Sequence, residues 1–133
     1  MDFVSFEIAK KLKEKGFKEI CLAYYTNDNT LYYNFSHKAG ACCIDCLLSH
    51  NLMPKDSVSG KFVDAPTISQ VLKWLREEKK IHISIDIWGR TWGYDILNLP
   101  SGSSLHWTAY EENINNYEQA ALAGIEYVLE NLI

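Results

Sequence analysis

No stretch of this chain is both long and apolar enough to cross a membrane. The opening segment MDFVSFEIAKKLKEKGF has no apolar region behind basic residues, so a secretory leader is not expected. These two absences predict a cytoplasmic protein with no membrane partner. Its four cysteines, Cys21, Cys42, Cys43 and Cys46, are then expected as thiols rather than disulfides. Positive charge is also short: the formal net charge is -4, which a phosphate backbone repels, so nucleic acid is disfavoured as a partner. The chain contains no P-loop, dinucleotide fingerprint, GxSxG or HExxH. Nothing here calls for a cofactor, and an enzyme is less expected than a binding protein. Low-complexity tracts and long linkers are missing too, and 133 residues suit a single domain spanning 1–133.

Aromatic residues are abundant, with eight Tyr, five Phe and four Trp. A small core does not enclose them all, so some are expected at the surface. The plan of the chain is more informative still. Residues 5–35 read helix, strand, tight turn, strand, and residues 67–99 read the same. Sliding one onto the other aligns Ile8 with Val71, Ala9 with Leu72 and Leu12 with Leu75. It then aligns Ile20 with Ile83, Leu22 with Ile85 and Tyr24 with Ile87. The repeat predicts a two-layer α+β fold: duplicated αββ units forming an antiparallel sheet, with helices mainly on one face.

The local signals support this plan. Ser5, with Asp2 as a rival, caps a first helix whose buried stripe is Ile8, Ala9 and Leu12. Gly16 and Phe17 suit a Schellman ending. KEICLAYY and LYYNF read as strands joined by the turn TNDNT. Residues 36–63 form a variable insert: AGACCIDCLLSH reads as a short helix and NLMPKDSVSG as loop. Thr67 and Gln70 make a capping box behind Pro66, with Ile68, Val71, Leu72 and Leu75 buried. In IHISIDIW, Ile81, Ile83, Ile85 and Ile87 alternate with His82, Ser84 and Asp86, as in a strand with one packed and one wet face. GRTWG reads as a turn, YDILNL as the return strand, and LHWTAY as a fifth strand. A final helix at about 116–132 starts at Asn116 and carries Tyr117, Ala121, Ile125, Val128 and Leu132 on its apolar face. Ala120, Ala121, Ala123 and Gly124 make that helix thin enough to lie close to a neighbour.

The run DAPTISQVLKWLREEKKIHISIDI, then Gly93-Tyr94, then YEQAALAGIEYVLENLI resembles a group of short uncharacterised proteins of gut Bacteroidetes, their prophages and mobile elements. The likeness covers about residues 64–133 and is weaker over 1–35. It implies an accessory setting and no particular activity. The residues that carry it, Pro66, Thr67, Leu72, Leu75 and Gly93, are structural in type, and the Cys-rich segment lies outside the pattern.

Four constellations bear on chemistry. Cys43, Cys46 and His50 share one face of a helix, and with Cys42, His37 or Cys21 they have the ligand types of a zinc site. Against this, zinc knuckles place Cys-x-x-Cys in a turn, and a short helix burying small thiols needs no metal. The same Cys43-Ile44-Asp45-Cys46 matches a redox C-x-x-C, but the βαβ context is missing. His82, Ser84 and Asp86 have the composition of a triad without its geometry, since alternate strand residues are roughly 6.5–7 Å apart in parallel array. Lastly, Tyr24, Tyr25, Tyr32, Tyr33, Trp88, Trp92, Tyr94 and Trp107 crowd the two hairpins. Adjacent tyrosines point to opposite faces, so each pair is expected to send one ring to an open side. The crowded lysines of the first helix, Lys10, Lys11, Lys13, Lys15 and Lys18, read as a solvated face.

The sequence therefore points to a small binding or regulatory module acting through protein–protein contacts, with another protein or with itself as a homodimer. The expected binding residues are Tyr24, Tyr25, Tyr32, Tyr33, His82, Asp86, Trp88 and Trp92. The alternatives are a zinc-stabilised module and an enzyme with a site near His82, Asp86 and Trp88.

Overall fold

The computed structural model describes residues 2–34, 52–53, 62–108 and 113–133. They are α+β, and they divide into two compact units, Phe3–Pro66 and Thr67–Ile133 with Met1–Asp2.

In the first unit, helix α1 (Phe6–Glu14) begins where Ser5 accepts a 3.3 Å hydrogen bond from the Ile8 N–H. Ile8, Ala9 and Leu12 are buried, as their spacing predicts. Gly16 takes a φ of 90°, which lets the Phe17 N–H reach the Leu12 carbonyl at 3.0 Å and brings the Phe17 ring into the core. Strands β1 (Ala23–Thr26) and β2 (Leu31–Asn34) form the first hairpin. Its turn closes with Thr26 N–H on the Thr30 carbonyl at 3.0 Å, and Asn29 supplies the left-handed residue with φ 63°. Two further strands belong to this sheet: β3 (Leu52–Met53), parallel to β2, and β4 (Phe62–Ala65), antiparallel to β1. The order is β3-β2-β1-β4.

In the second unit, helix α2 (Ile68–Glu78) carries the expected capping box. The Gln70 N–H donates to Thr67 Oγ1 at 3.1 Å, and the Thr67 N–H donates to Gln70 Oε1 at 2.9 Å. Its buried face is Ile68, Val71, Leu72 and Leu75, with Trp74 added. Strands β5 (Ile81–Trp88) and β6 (Thr91–Asn98) pair in unbroken antiparallel register around Gly89-Arg90, where Gly89 has φ 67°. Strand β7 (Ser104–Trp107) adds to β6 with a register shift between Ile96 and Leu97. Helix α3 (Tyr117–Asn131) starts at Asn116, whose Oδ1 accepts from the Gln119 N–H at 2.8 Å. Both helices pack on β5, and α3 also packs on β6 and α2. A side chain at Gly124 would meet Ile83 Cγ2 at 2.9 Å, so the thin surface of α3 does bring it close to the sheet.

Three expectations need correction. The strands form two sheets rather than one. Strand β1 is paired on both edges, with β2 and with β4, so it has no edge left for β5. The proposed repeat matches in burial over its helices, where Leu12 and Leu75 are 1% and 0% exposed. Over its strands it does not: Ile20 is 86% exposed against 5% for Ile83. The strand KEICLAYY therefore shortens to its last residues. In α3, Leu129 is buried, while Tyr117 is exposed and Leu132 half-buried. The helix read over 41–50 lies outside the described residues.

Candidate functional site

The four hairpin tyrosines are held by the first unit's own elements. Tyr24 faces Tyr32 across the β1–β2 pair, with ring centroids 5.8 Å apart, and meets Phe62 edge-on at 5.7 Å. It is fully buried, and that burial, helped by the neighbouring Tyr32 phenol, raises its pKa above the usual 10.0. Tyr25 and Tyr33 point to the other side, as the alternation requires, but that side is covered. The Tyr25 hydroxyl donates to the Val4 carbonyl at 2.7 Å, its ring meets Phe6 at 5.6 Å, and burial raises its pKa as well. Tyr33 meets Phe3 edge-on at 5.4 Å. The N-terminal segment Phe3–Phe6 thus takes the place that the sequence reading leaves open. Tyr25, Tyr32 and Tyr33 are half-buried rather than displayed.

The second unit keeps an outward face. The β5–β6 register sets His82 opposite Leu97, Ser84 opposite Asp95, Asp86 opposite Gly93 and Trp88 opposite Thr91. All of these lie on one side of the sheet, because partners in register share a face. Trp107 of β7 joins them opposite Asp95. Trp92 does not: it pairs with Ile87 on the opposite side and meets Tyr117 of α3 edge-on at 6.0 Å. Of the expected binding residues, His82, Asp86 and Trp88 are therefore brought together, and Trp92 is separated from them.

The centre of this face is an edge-to-face pair, Trp88 and Trp107, with centroids 6.1 Å apart and Trp107 55% exposed. Gly93 makes room for it. A Cβ there would lie 2.9 Å from Trp88 Cε3 and 2.5 Å from the buried Thr108 hydroxyl. Glycine is thus required within β6, where the sequence suggests only a turn. Gly93→Ala is expected to cost about 1–3 kcal/mol by overpacking and to tilt the Trp88 ring away from Trp107. Chemical denaturation reads the first effect and the near-ultraviolet dichroism of the tryptophan pair reads the second.

The polar groups of the face do not form a relay. Asp86 Oδ1 accepts from the Ile87 N–H at 3.2 Å, and Asp95 Oδ1 accepts from the Ser104 hydroxyl at 2.6 Å. His82 and Asp86, four residues apart on one strand, are separated by about 13 Å along it. Among the described residues no group of three or more His, Cys, Asp and Glu is placed to hold a metal. Cys42, Cys43, Cys46, His37 and His50 lie outside the described residues. Cys21 is buried in the first unit, and its thiol donates to the Glu19 carbonyl at 3.4 Å.

The first unit also has a cavity of about 420 Å³ lined by Ala9, Lys13, Phe17, Lys18, Phe62 and Asp64. Two of the lysines of the charged helix segment thus border a hollow. Lys10 instead pairs with Glu7 at 3.1 Å. No helix among the described residues is long and apolar enough to cross a membrane. The chain matches no protein-family model, and comparison with curated proteins and with solved structures finds no similar protein.

Proposed function

We propose that the chain is a small binding module that recognises a protein partner through the outward face of the β5-β6-β7 sheet. The observation that carries this reading is the tryptophan pair, with Trp107 more than half exposed among the short polar residues His82, Ser84, Asp86 and Asp95. An exposed Trp ringed by small polar groups is the composition of an interface centre, where a few aromatic anchors supply most of the binding energy. The resemblance to proteins of mobile elements accords with an accessory or regulatory role. The zinc-stabilised alternative is decided by metal analysis of the purified full chain.

Trp107→Ala is expected to weaken partner binding by about 1–3 kcal/mol. It should change folding stability by no more than about 0.5 kcal/mol, because the ring lies at the surface. Co-purification from the native host, repeated with the variant and paired with a thermal melt, checks both. A melt that collapses with binding unchanged would make the ring structural and remove the reading's main support.

A further inference from the structure

Strand β5 is one edge of its sheet, and its own sequence carries none of the usual edge protection. The order is β5-β6-β7, so β6 takes only one side of β5. The hydrogen-bond phase of the pair is set by the Leu99 N–H, which donates to the Lys80 carbonyl at 2.9 Å. In an antiparallel ladder such bonded pairs alternate. Lys80 and the even-numbered residues of β5 therefore turn their N–H and C=O toward β6. Ile81, Ile83, Ile85 and Ile87 turn theirs outward. Among the described residues the one bond to this row is from the Ile87 N–H to the carboxylate of Asp86 beside it. Edge strands normally carry lysine, proline, a bulge or a short span to prevent pairing. Strand β5 is eight residues long, IHISIDIW, with none of these and a regular ladder throughout.

The side chains of β5 complement a reversed copy of themselves. Place a two-fold axis at Ser84, antiparallel to a second β5. His82 then faces Asp86 of the other copy, and Asp86 faces its His82, so an imidazole donor meets a carboxylate acceptor twice. Ile83 faces Ile85, Ile81 faces Ile87, and Ser84 faces Ser84. Every outward N–H and C=O from Ile81 to Ile87 finds a partner, giving about eight main-chain hydrogen bonds. Moving the axis by one residue loses the match: His82 then faces Ser84 or Trp88, and Asp86 faces Lys80 or Ser84. The exposed Ile87, 56% accessible, gains an apolar neighbour in Ile81.

We propose that two copies of this chain associate through β5 edges, antiparallel about Ser84, to form a continuous six-stranded sheet. Such an isologous contact closes on itself and does not propagate. This contact uses the strand edge rather than the Trp107 face, and either can fail alone.

The test is sedimentation of the full chain from low micromolar to near-millimolar concentration, combined with amide hydrogen exchange over the same range. A monomer–dimer equilibrium is expected. The Ile83 and Ile85 amides should become protected as the dimer fills, while the Ser84 amide, bonded to β6, stays protected throughout. Ser84→Lys places two ammonium groups across the axis and should raise the dimer dissociation constant by about tenfold or more. His82→Asp should weaken the dimer, and His82→Asp with Asp86→Lys should recover it. A chain monomeric at every concentration overturns the proposal. So does a dimer in which the Ile83 and Ile85 amides stay unprotected, or one that Ser84→Lys and the charge swap leave unchanged. The exchange pattern of the unmodified chain decides even if a variant folds poorly.

Discussion

Leu75→Ala is expected to lower stability by about 2–5 kcal/mol. Leu75 lies on the face of α2 that packs on β5 and α3, beside Val71 and Leu72, and it has no exposed surface. Truncation removes three buried carbons and leaves a cavity that the neighbouring sheet and helix restrict from collapsing. The cost is therefore more than the transfer energy of the lost carbons. A loss of this size is a large part of the total for a small protein. Arg76→Ala, one residue along and exposed, is the control and should stay within about 0.5 kcal/mol. Chemical denaturation of both variants measures the difference. A Leu75 variant as stable as the Arg76 control would mean that the helix is packed in another phase.

The features that sequence reading recovered are those whose physics is local. Thr67 and Gln70 satisfy each other's backbone donors within one turn, so four letters announce the helix start. Gly16 followed by Phe17 announces the end of α1, and Asn29 supplies the positive φ of the first hairpin turn. The unbroken alternation of β5 likewise survives as two distinct faces. What failed depends on contacts distant in sequence. Strand β4 begins in the last two residues of the stretch 36–63 that reads as insert, and it is a strand because β1 offers an edge to it. Alternation separates Tyr24 from Tyr25 and Tyr32 from Tyr33, as the β1–β2 register shows. It does not encode that Phe3, Val4 and Phe6 come to cover the side of Tyr25 and Tyr33. Trp88 and Trp92 crowd the same hairpin, yet its register places them on opposite faces. The demand for Gly93 within a strand becomes visible only when Trp88 lies across it.

Tyr24→Ala is the test that most sharply separates core from binding surface, and its expected cost is about 3–5 kcal/mol, the range for a large buried aromatic. Tyr24 has no exposed surface and packs against both Tyr32 and Phe62, so its loss opens a cavity between β1, β2 and β4. Tyr32→Ala should cost less, about 1–2 kcal/mol, because that ring is only half-buried. The phenol provides a second readout. Burial raises the folded pKa of Tyr24 above 10.0, so the unfolded chain ionises first as the solution becomes alkaline. The contribution is intact below pH 10 and is lost as pH rises through the folded value, so unfolding becomes easier above pH 10. Tyr24→Phe should flatten this alkaline loss without abolishing it, since Tyr25 is raised in the same direction. Melts from neutral to strongly alkaline pH give both results. If Tyr24→Ala left the melt unchanged and instead altered self-association, the ring would belong to an interface, and the assignment of Tyr24 to the first unit's core would be wrong.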